Sequence, residues 1–279
     1  MKKLLVTGAG GFLGQRAAAY YAGRYEVIAC THQMLDITSE KAVYDFLLTA
    51  QPNFVLHCAA ISDTGYSQTH PAESEAVNLR GTVHLAKACA ACGAKLVAMS
   101  SDQVYSGNAE RFALSEAQTP VPANIYGAHK LLAEQQSAAV CPDAVFLRLT
   151  WLYDLPDSPY KPNRNLIFNI ETAAQTGVPL RGALQELRGI TYVWDGISRF
   201  ADCFALPGGV YNYGCENHKN SYETLRQAVL LCGQDPDALV ARDESFSRNL
   251  SMDTAKLRNF GISFPDTLEG LRAALADRK

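Results

Sequence analysis

The stretch Lys3-Leu4-Leu5-Val6-Thr7-Gly8-Ala9-Gly10-Gly11-Phe12-Leu13-Gly14 decides the fold. Residues 3–7 make a short apolar run of strand length, and a helical run follows from Phe12 to about Ala22. Between them stand Gly8, Gly11 and Gly14. The first allows a tight turn, the second lets a pyrophosphate approach the backbone, and the third lets the helix pack close to the strand. The helix N-terminus, at Phe12 and Leu13, then faces the phosphates. The sequence therefore predicts a dinucleotide cradle on Gly8, Gly11, Phe12, Leu13 and Gly14.

Working outward, strands are expected at 26–30, 54–60, 95–100 and 144–149, with helices at 39–49, from Pro71 to about Cys92, and from Tyr126 to about Val140. Strand and helix alternate for the first half of the chain. Right-handed crossovers then require a parallel sheet covered on both faces: an α/β, Rossmann-type doubly wound fold. After Tyr153 the rhythm breaks. Residues 154–164 are rich in Pro, Asp and Asn and read as a loop leaving the sheet. Helices follow at 165–176, 196–205, 221–233, 254–259 and 268–277, with strand signals over 184–194 and a strand at 209–213. The expected division is a dinucleotide-binding domain over 1–153, to which 190–215 returns, and a small C-terminal substrate-binding lobe from 154–189 and 216–279.

The end of the second strand, Cys30-Thr31-His32, lacks the carboxylate that would accept hydrogen bonds from the ribose of NAD. Asp36 and Ile37 fall in the loop beyond it. A strand end without a carboxylate does not repel a 2′-phosphate, so the cofactor reads as NADP or NAD with a lean to NADP. Small residues close the third strand, Cys58-Ala59-Ala60, and let a cofactor lie near the backbone. His57 sits in an apolar run and reads as a satisfied core histidine. Asn78, on a mainly apolar helix, reads as a buried amide near the active site.

The apolar run Leu96-Val97-Ala98-Met99 ends at Ser100-Ser101-Asp102, and after a long loop comes Tyr126-Gly127-Ala128-His129-Lys130. Tyr and Lys four apart lie one above the other on a helix face. With Ser101 at a strand end, they bring a phenol, an ammonium and a hydroxyl to one point, which suits proton transfer to a carbonyl oxygen.

With 279 residues, 48% apolar, 19% charged and a formal net charge of −3, the chain suits one large α/β domain with a small lobe. It carries no basic run or basic-aromatic patch, so no nucleic-acid partner is expected. No apolar run reaches the ~18 residues of a membrane span. The N-terminal apolar run stops at Val6, too short for a signal peptide, and a cytoplasmic location is expected. Eight cysteines, several inside apolar runs (Cys30, Cys58, Cys89, Cys203), read as buried thiols of a reducing compartment. Cys89-Ala90-Ala91-Cys92 has the spacing of half a zinc site, but no second pair or nearby His accompanies it. No metal is expected.

With the glycine turn, Ser101, Tyr126 and Lys130 in line, the chain resembles the extended short-chain dehydrogenase/reductases, and among them the dTDP-4-dehydrorhamnose reductases and related epimerase-dehydratases. The likeness extends to Leu35-Asp36-Ile37-Thr38, His57-Cys58-Ala59-Ala60, Val77-Asn78, residues 100–107, Leu147-Arg148-Leu149-Thr150-Trp151, Arg188-Gly189-Ile190-Thr191-Tyr192 and residues 248–253. It implies hydride transfer from NAD(P)H to a keto group of a nucleotide sugar, with Tyr126 as general acid, Lys130 bringing the phenol nearer neutrality and aiming the nicotinamide ribose, and Ser101 donating to the same oxygen. Cofactor contacts are implied for Gly8, Gly11, Phe12, Leu13, Gly14, Thr31, Asp36, Ile37, Cys58, Ala59, Ala60, Asn78, Tyr126 and Lys130. Asp102, Gln103, Trp151, Arg188 and Arg248 are the substrate candidates, the two arginines for pyrophosphate.

Two departures carry weight. Ser101 stands where the subgroup usually has Thr, which keeps the hydroxyl. Gln103 stands where nucleotide-sugar dehydratases carry a basic Glu, and an amide cannot take up that proton. An epimerase or another carbonyl reductase of the family stays open, as does a cofactor-binding regulatory subunit without turnover. The resemblance also leaves a homodimer open.

Overall fold

The computed structural model describes residues 1–161 and 163–276. The chain divides into two compact units: Met1–Val104, Pro122–Arg148 and Ile197–Tyr211 form the first, and Tyr105–Val121, Leu149–Gly196 and Asn212–Lys279 the second.

In the first half β1 (Lys3–Thr7), α1 (Phe12–Tyr21), β2 (Glu26–Cys30), α2 (Glu40–Ala50) and β3 (Phe54–His57) alternate as the hydrophobic pattern requires. Next come α3 (Thr64–Thr69), α4 (Pro71–Ser74), a π-helical turn (Glu75–Arg80) and α5 (Gly81–Cys92). The one long helix expected from Pro71 thus carries a bulge at Asn78. After β4 (Lys95–Ser101) and a 3₁₀ turn (Asp102–Tyr105) come α6 (Ile125–Val140), β5 (Val145–Leu149) and β6 (Trp151–Tyr153). The remainder holds α7 (Leu166–Thr176), β7 (Leu180–Arg188), β8 (Ile190–Tyr192), α8 (Val193–Cys203), β9 (Gly209–Tyr213), α9 (Ser221–Leu231), α10 (Pro236–Leu239), β10 (Val240–Leu250), α11 (Ala255–Arg258) and α12 (Thr267–Ala276). Asp277, expected as the last residue of the final helix, lies outside the described residues.

Six strands form the central sheet in the order β2-β1-β3-β4-β5-β9, with β1 parallel to β2 and β3, and β3 parallel to β4. The expected Rossmann-type parallel sheet is therefore present. Its order reverses beside β1. A crevice opens at such a switch point beyond the carboxyl ends of the strands, and the glycine turn follows β1 directly. The inner strands β1, β3, β4 and β5 are buried along almost their whole length, and Leu5, Val55, Leu96 and Phe146 share one core with Val43, Leu47, Leu85 and Cys89 of the covering helices. Cys89 is thus a core thiol. Among the described residues no helix is long and apolar enough to cross a membrane.

The second unit has its own core, in which Leu166, Ile167, Ile170, Val229, Val240 and Leu271 pack together. Its strands pair as two short parallel ribbons, β6 with β8 and β7 with β10. Residues 105–121 belong to it although only a short turn separates them from β4, because main-chain bonds hold them there. Leu114 N–H donates to Ser251 O at 2.8 Å, and Asp253 N–H donates to Leu114 O at 2.9 Å. The Asn249 amide also donates to the carbonyls of Glu110 and Phe112. The sequence expected no strand over 240–250. Its middle, Arg242 to Arg248, is mostly charged or polar with one exposed aromatic, Phe246, and shows no apolar alternation, so pairing with β7 makes it a strand.

Candidate functional site

The turn after β1 is built to the limit of backbone contact. A Cβ on Gly8 would stand 2.6 Å from Ala59 N, and one on Gly14 would stand 2.2 Å from Gly8 O. Gly8 also has φ +66°, a conformation that costs L side chains energy. The loops after β1 and β3 are therefore pressed together at the switch point, which explains the small Ala59 and Ala60. Helix α1 starts at Gly11 without a side-chain cap, so no side chain fills the position where an anion would meet its first N–H groups. This cradle fits the pyrophosphate of a dinucleotide.

Other expected cofactor contacts are distributed unevenly. Thr31 follows β2 directly and is exposed. The Asp36 carboxylate is turned to its own loop, accepting from Thr38 N at 2.9 Å and Thr38 Oγ1 at 2.8 Å, and these bonds hold its pKa below the usual carboxylate range. Ile37 is buried beneath Gly81, where a Cβ would stand 2.7 Å from Ile37 Cδ1. Asn78 is fully buried, accepting from Ile61 N–H and donating to Ile61 O (both 3.0 Å) and to Ser74 Oγ at 3.1 Å. Its amide thus braces the loop after β3 through Ile61. His57 is the core histidine expected: its ring nitrogens lie 2.7 Å from Thr7 Oγ1 and 3.0 Å from Thr82 Oγ1, and burial drives its pKa down to about 3.

Ser101, Tyr126 and Lys130 do come together. Ser101 ends β4, and its hydroxyl lies close enough to the Tyr126 hydroxyl to lower the pKa of the phenol. Lys130 lies one turn further along α6, its Nζ 5.8 Å from the Tyr126 ring centre. The helix is held on this spot by Asn124, which caps it by accepting from Gly127 N at 2.8 Å and donates its amide to Gln103 Oε1 at 3.1 Å. Such a cap contributes about 1 kcal/mol. Gly127 allows the contact, since a Cβ there would stand 2.3 Å from Gln103 O. Sequence reasoning missed Gly127, although a glycine inside the first turn of an apolar helix was the available signal.

All three groups are buried, and burial sets their chemistry. It raises the Tyr126 phenol above its ordinary value, with the Asp102 charge adding and the Ser101 bond opposing. The sequence expected Lys130 to pull the phenol toward neutrality, but desolvation dominates and Lys130 donates instead to Met99 O at 2.8 Å. Burial lowers Lys130 itself to about 8 against the pull of Cys58 and Glu134, and raises the Cys58 thiol to about 12. Asp102 accepts from Ser101 Oγ at 3.2 Å and from Gln103 Nε2 at 3.3 Å. The Gln103 amide is thus engaged at both ends within the first unit.

Trp151, Arg188 and Arg248 line one cavity of about 190 Å³ in the second unit, together with Glu186, Asn217 and Asn169. The Arg188 guanidinium lies over the Trp151 ring, 5.0 Å from its centre. Arg248 Nε donates to Glu186 Oε1 at 3.1 Å, and its Nη2 forms an ion pair with the same carboxylate. The two residues face each other across the β7/β10 ribbon. Glu186 had no sequence signal, because the strand that opposes it was not legible.

A parallel sheet with a strand-order switch and a glycine turn after β1 defines a Rossmann-type fold. The model of the RmlD substrate binding domain matches residues 1–181, and the chain belongs to that family. A dTDP-4-dehydrorhamnose reductase of Mycolicibacterium smegmatis is 38% identical over 154 residues, 54% of this chain and 46% of that protein. The spore coat polysaccharide biosynthesis protein SpsK of Bacillus subtilis is 28% identical over 213 residues, 76% of this chain and 73% of that protein. The chain spans about half the length of the first dTDP-4-dehydrorhamnose reductases it matches. In fold it is similar to the dTDP-4-dehydrorhamnose reductase of Bacillus anthracis solved in complex with NADP, with TM-score 0.86, 23% identity and all of both chains covered. A Thermotoga maritima UDP-glucose 4-epimerase superposes with TM-score 0.81 at 20% identity, covering 98% of this chain and 97% of that one.

Proposed function

We propose that this chain is an NAD(P)H-dependent oxidoreductase that reduces a keto group on a nucleotide-activated sugar, as a dTDP-4-dehydrorhamnose reductase does. The observation that carries the reading is the buried grouping of Ser101 and Tyr126 with Lys130 one turn on, in a chain of this family. NADPH is the favoured cofactor, since β2 ends without a carboxylate. The Bacillus anthracis reductase of similar fold, solved in complex with NADP, supports that choice.

When bound, the reduced nicotinamide supplies the hydride. Tyr126 gives its proton to the oxygen that is becoming an alkoxide, and a phenol raised by burial is held in the protonated form this requires. Ser101 donates to the same oxygen and relieves its charge. Lys130, charged below about pH 8, donates to the nicotinamide ribose and offsets the negative charge that Tyr126 acquires as it gives up its proton. Gly8, Gly11, Phe12, Leu13 and Gly14 hold the pyrophosphate of the cofactor. Arg188 and Arg248 are the groups for the pyrophosphate of the sugar nucleotide, and Trp151 backs Arg188. The functional labels follow the two units: dinucleotide binding in the first, substrate binding in the second. The eight free cysteines suit a reducing cytoplasm.

The test follows the absorbance of NADPH, and separately NADH, with a dTDP-4-dehydro-6-deoxyhexose, for wild type and Tyr126→Phe. Oxidation that collapses in the variant is the expected result. Sugar isomerised with the cofactor unchanged over many turnovers would replace the reductase by an epimerase. Cofactor binding without turnover on any carbonyl of this class would replace it by a regulatory subunit.

A further inference from the structure

Behind the Tyr126/Lys130 pair lies a second buried cluster that the proposed chemistry does not use. Glu134 sits one turn beyond Lys130 on α6, so Tyr126, Lys130 and Glu134 follow one another along a single face. Its carboxylate accepts Arg148 Nε at 3.0 Å and Arg148 Nη2 at 2.6 Å, the fork geometry of a bidentate pair. It also accepts Ser100 Oγ at 2.5 Å. Side-chain exposure is 5% for Arg148 and 4% for Glu134. The three partners come from three elements, Ser100 from β4, Glu134 from α6 and Arg148 from β5. Ser100 immediately precedes Ser101.

Resting on the proposed roles of Tyr126 and Lys130, we infer that Glu134 is a positioning residue for that pair: with Ser100 and Arg148 it fixes α6 against the end of β4 and sets a carboxylate one turn behind Lys130. Two constraints require such a residue. Lys130 is buried, and its hydrogen bond to a protein group is to a neutral carbonyl, Met99 O. The groups around it are His57, which is neutral by burial, and the Cys58 thiol from the β3 end, with Tyr126 and Glu134 from its own helix, Glu134 being paired with Arg148 of β5; Glu75 faces the other side of α6 at His129. Against desolvation, Cys58 and after it Glu134 raise the lysine, and among these described groups Glu134 is the carboxylate that does so. Ser100 and Ser101 are adjacent on β4, so a shift of the Glu134–Ser100 bond moves the hydroxyl that meets Tyr126.

A merely structural ion pair would hold the fold and leave Lys130 as it is, and the test separates the two roles. Glu134→Gln leaves Arg148 buried without its anion, so the informative variant is the double change Glu134→Gln with Arg148→Met, which removes both charges together. Lys130 is titrated directly in the protein without cofactor, through the ¹³Cε resonance of labelled lysine assigned by its loss in Lys130→Met. The expected midpoint is about 8 in wild type and lower in the double variant. In turnover, the fall of kcat on the alkaline side moves to lower pH by the same interval, with KM for the sugar nucleotide within about twofold. Glu134→Asp should restore part of the wild-type midpoint. A folded double variant whose lysine midpoint and alkaline limb both match wild type overturns the inference. If Tyr126→Phe and Lys130→Met themselves keep wild-type turnover, the reading beneath it has failed instead.

Discussion

Lys130 in the first unit and Arg248 in the second are both long cations drawn off the surface, Lys130 against the Met99 carbonyl and Arg248 against the Glu186 carboxylate. The first partner is neutral and belongs to a buried strand, so desolvation is only partly offset and the ammonium can lose its proton near about pH 8. The second partner is an anion on the facing strand of an exposed ribbon, and any anionic ligand of the cavity must compete with it. Poor solvation leaves the charge of Lys130 dependent on the groups packed around it. A group that has only to hold charge is placed beside a counter-ion that can be exchanged.

The contrast is broken most sharply by comparing the two units in one kinetic series. Tyr126→Phe should lower kcat by about 10³-fold with cofactor affinity nearly unchanged, because it removes only the proton donor; equilibrium binding of NADPH checks the second half. Arg248→Ala should instead raise KM for the sugar nucleotide by about 10–100-fold and change kcat little, the pattern of a ground-state contact. A kcat loss as large as that of Tyr126→Phe would end the division of labour between the units.

Gly127→Ala tests the placement of α6 without touching a reacting group. The added Cβ meets the Gln103 carbonyl, and overpacking of this kind costs about 1–3 kcal/mol, read as a lower urea midpoint at constant slope. The pH dependence follows from Lys130. Its folded pKa lies below the unfolded value, so the native state loses its proton first as pH rises. Between about pH 8 and the ordinary lysine value of 10.5 the unfolded chain binds more protons, and stability should rise with pH, while activity that needs the ammonium falls. Urea midpoints at both ends of that window, with Lys130→Met flattening the rise, check the sign. The smallest expected effect is that of Trp151→Leu, which removes the ring under Arg188; loss of a half-exposed cation–π contact of about 0.5–1 kcal/mol should raise KM about two- to fivefold.

Much of the first unit is legible in its residues. The glycine turn, the alternating apolar strands and helices and the Tyr126/Lys130 spacing are local patterns, and each fixes backbone geometry within a few residues. Ser101 can be named because the apolar run of β4 stops beside it. Glu134 and Arg148 give no such signal: a carboxylate on a helix and a guanidinium in a strand read as ordinary until three elements bring them into contact. Asn78 reads as buried, which it is, but its amide serves Ile61 and Ser74, partners that no spacing could have supplied.

The sequence by itself determined the parallel sheet, the cradle after β1 and the identity of the three groups at the candidate active site, because burial and helical periodicity are written in short segments. Tertiary structure alone decided the strand character of Val240–Leu250, the pairing of Arg248 with Glu186 and the desolvation that moves Tyr126 and Lys130 in opposite directions. Those properties depend on what surrounds a residue in space, and residues far apart in the chain supply the surroundings.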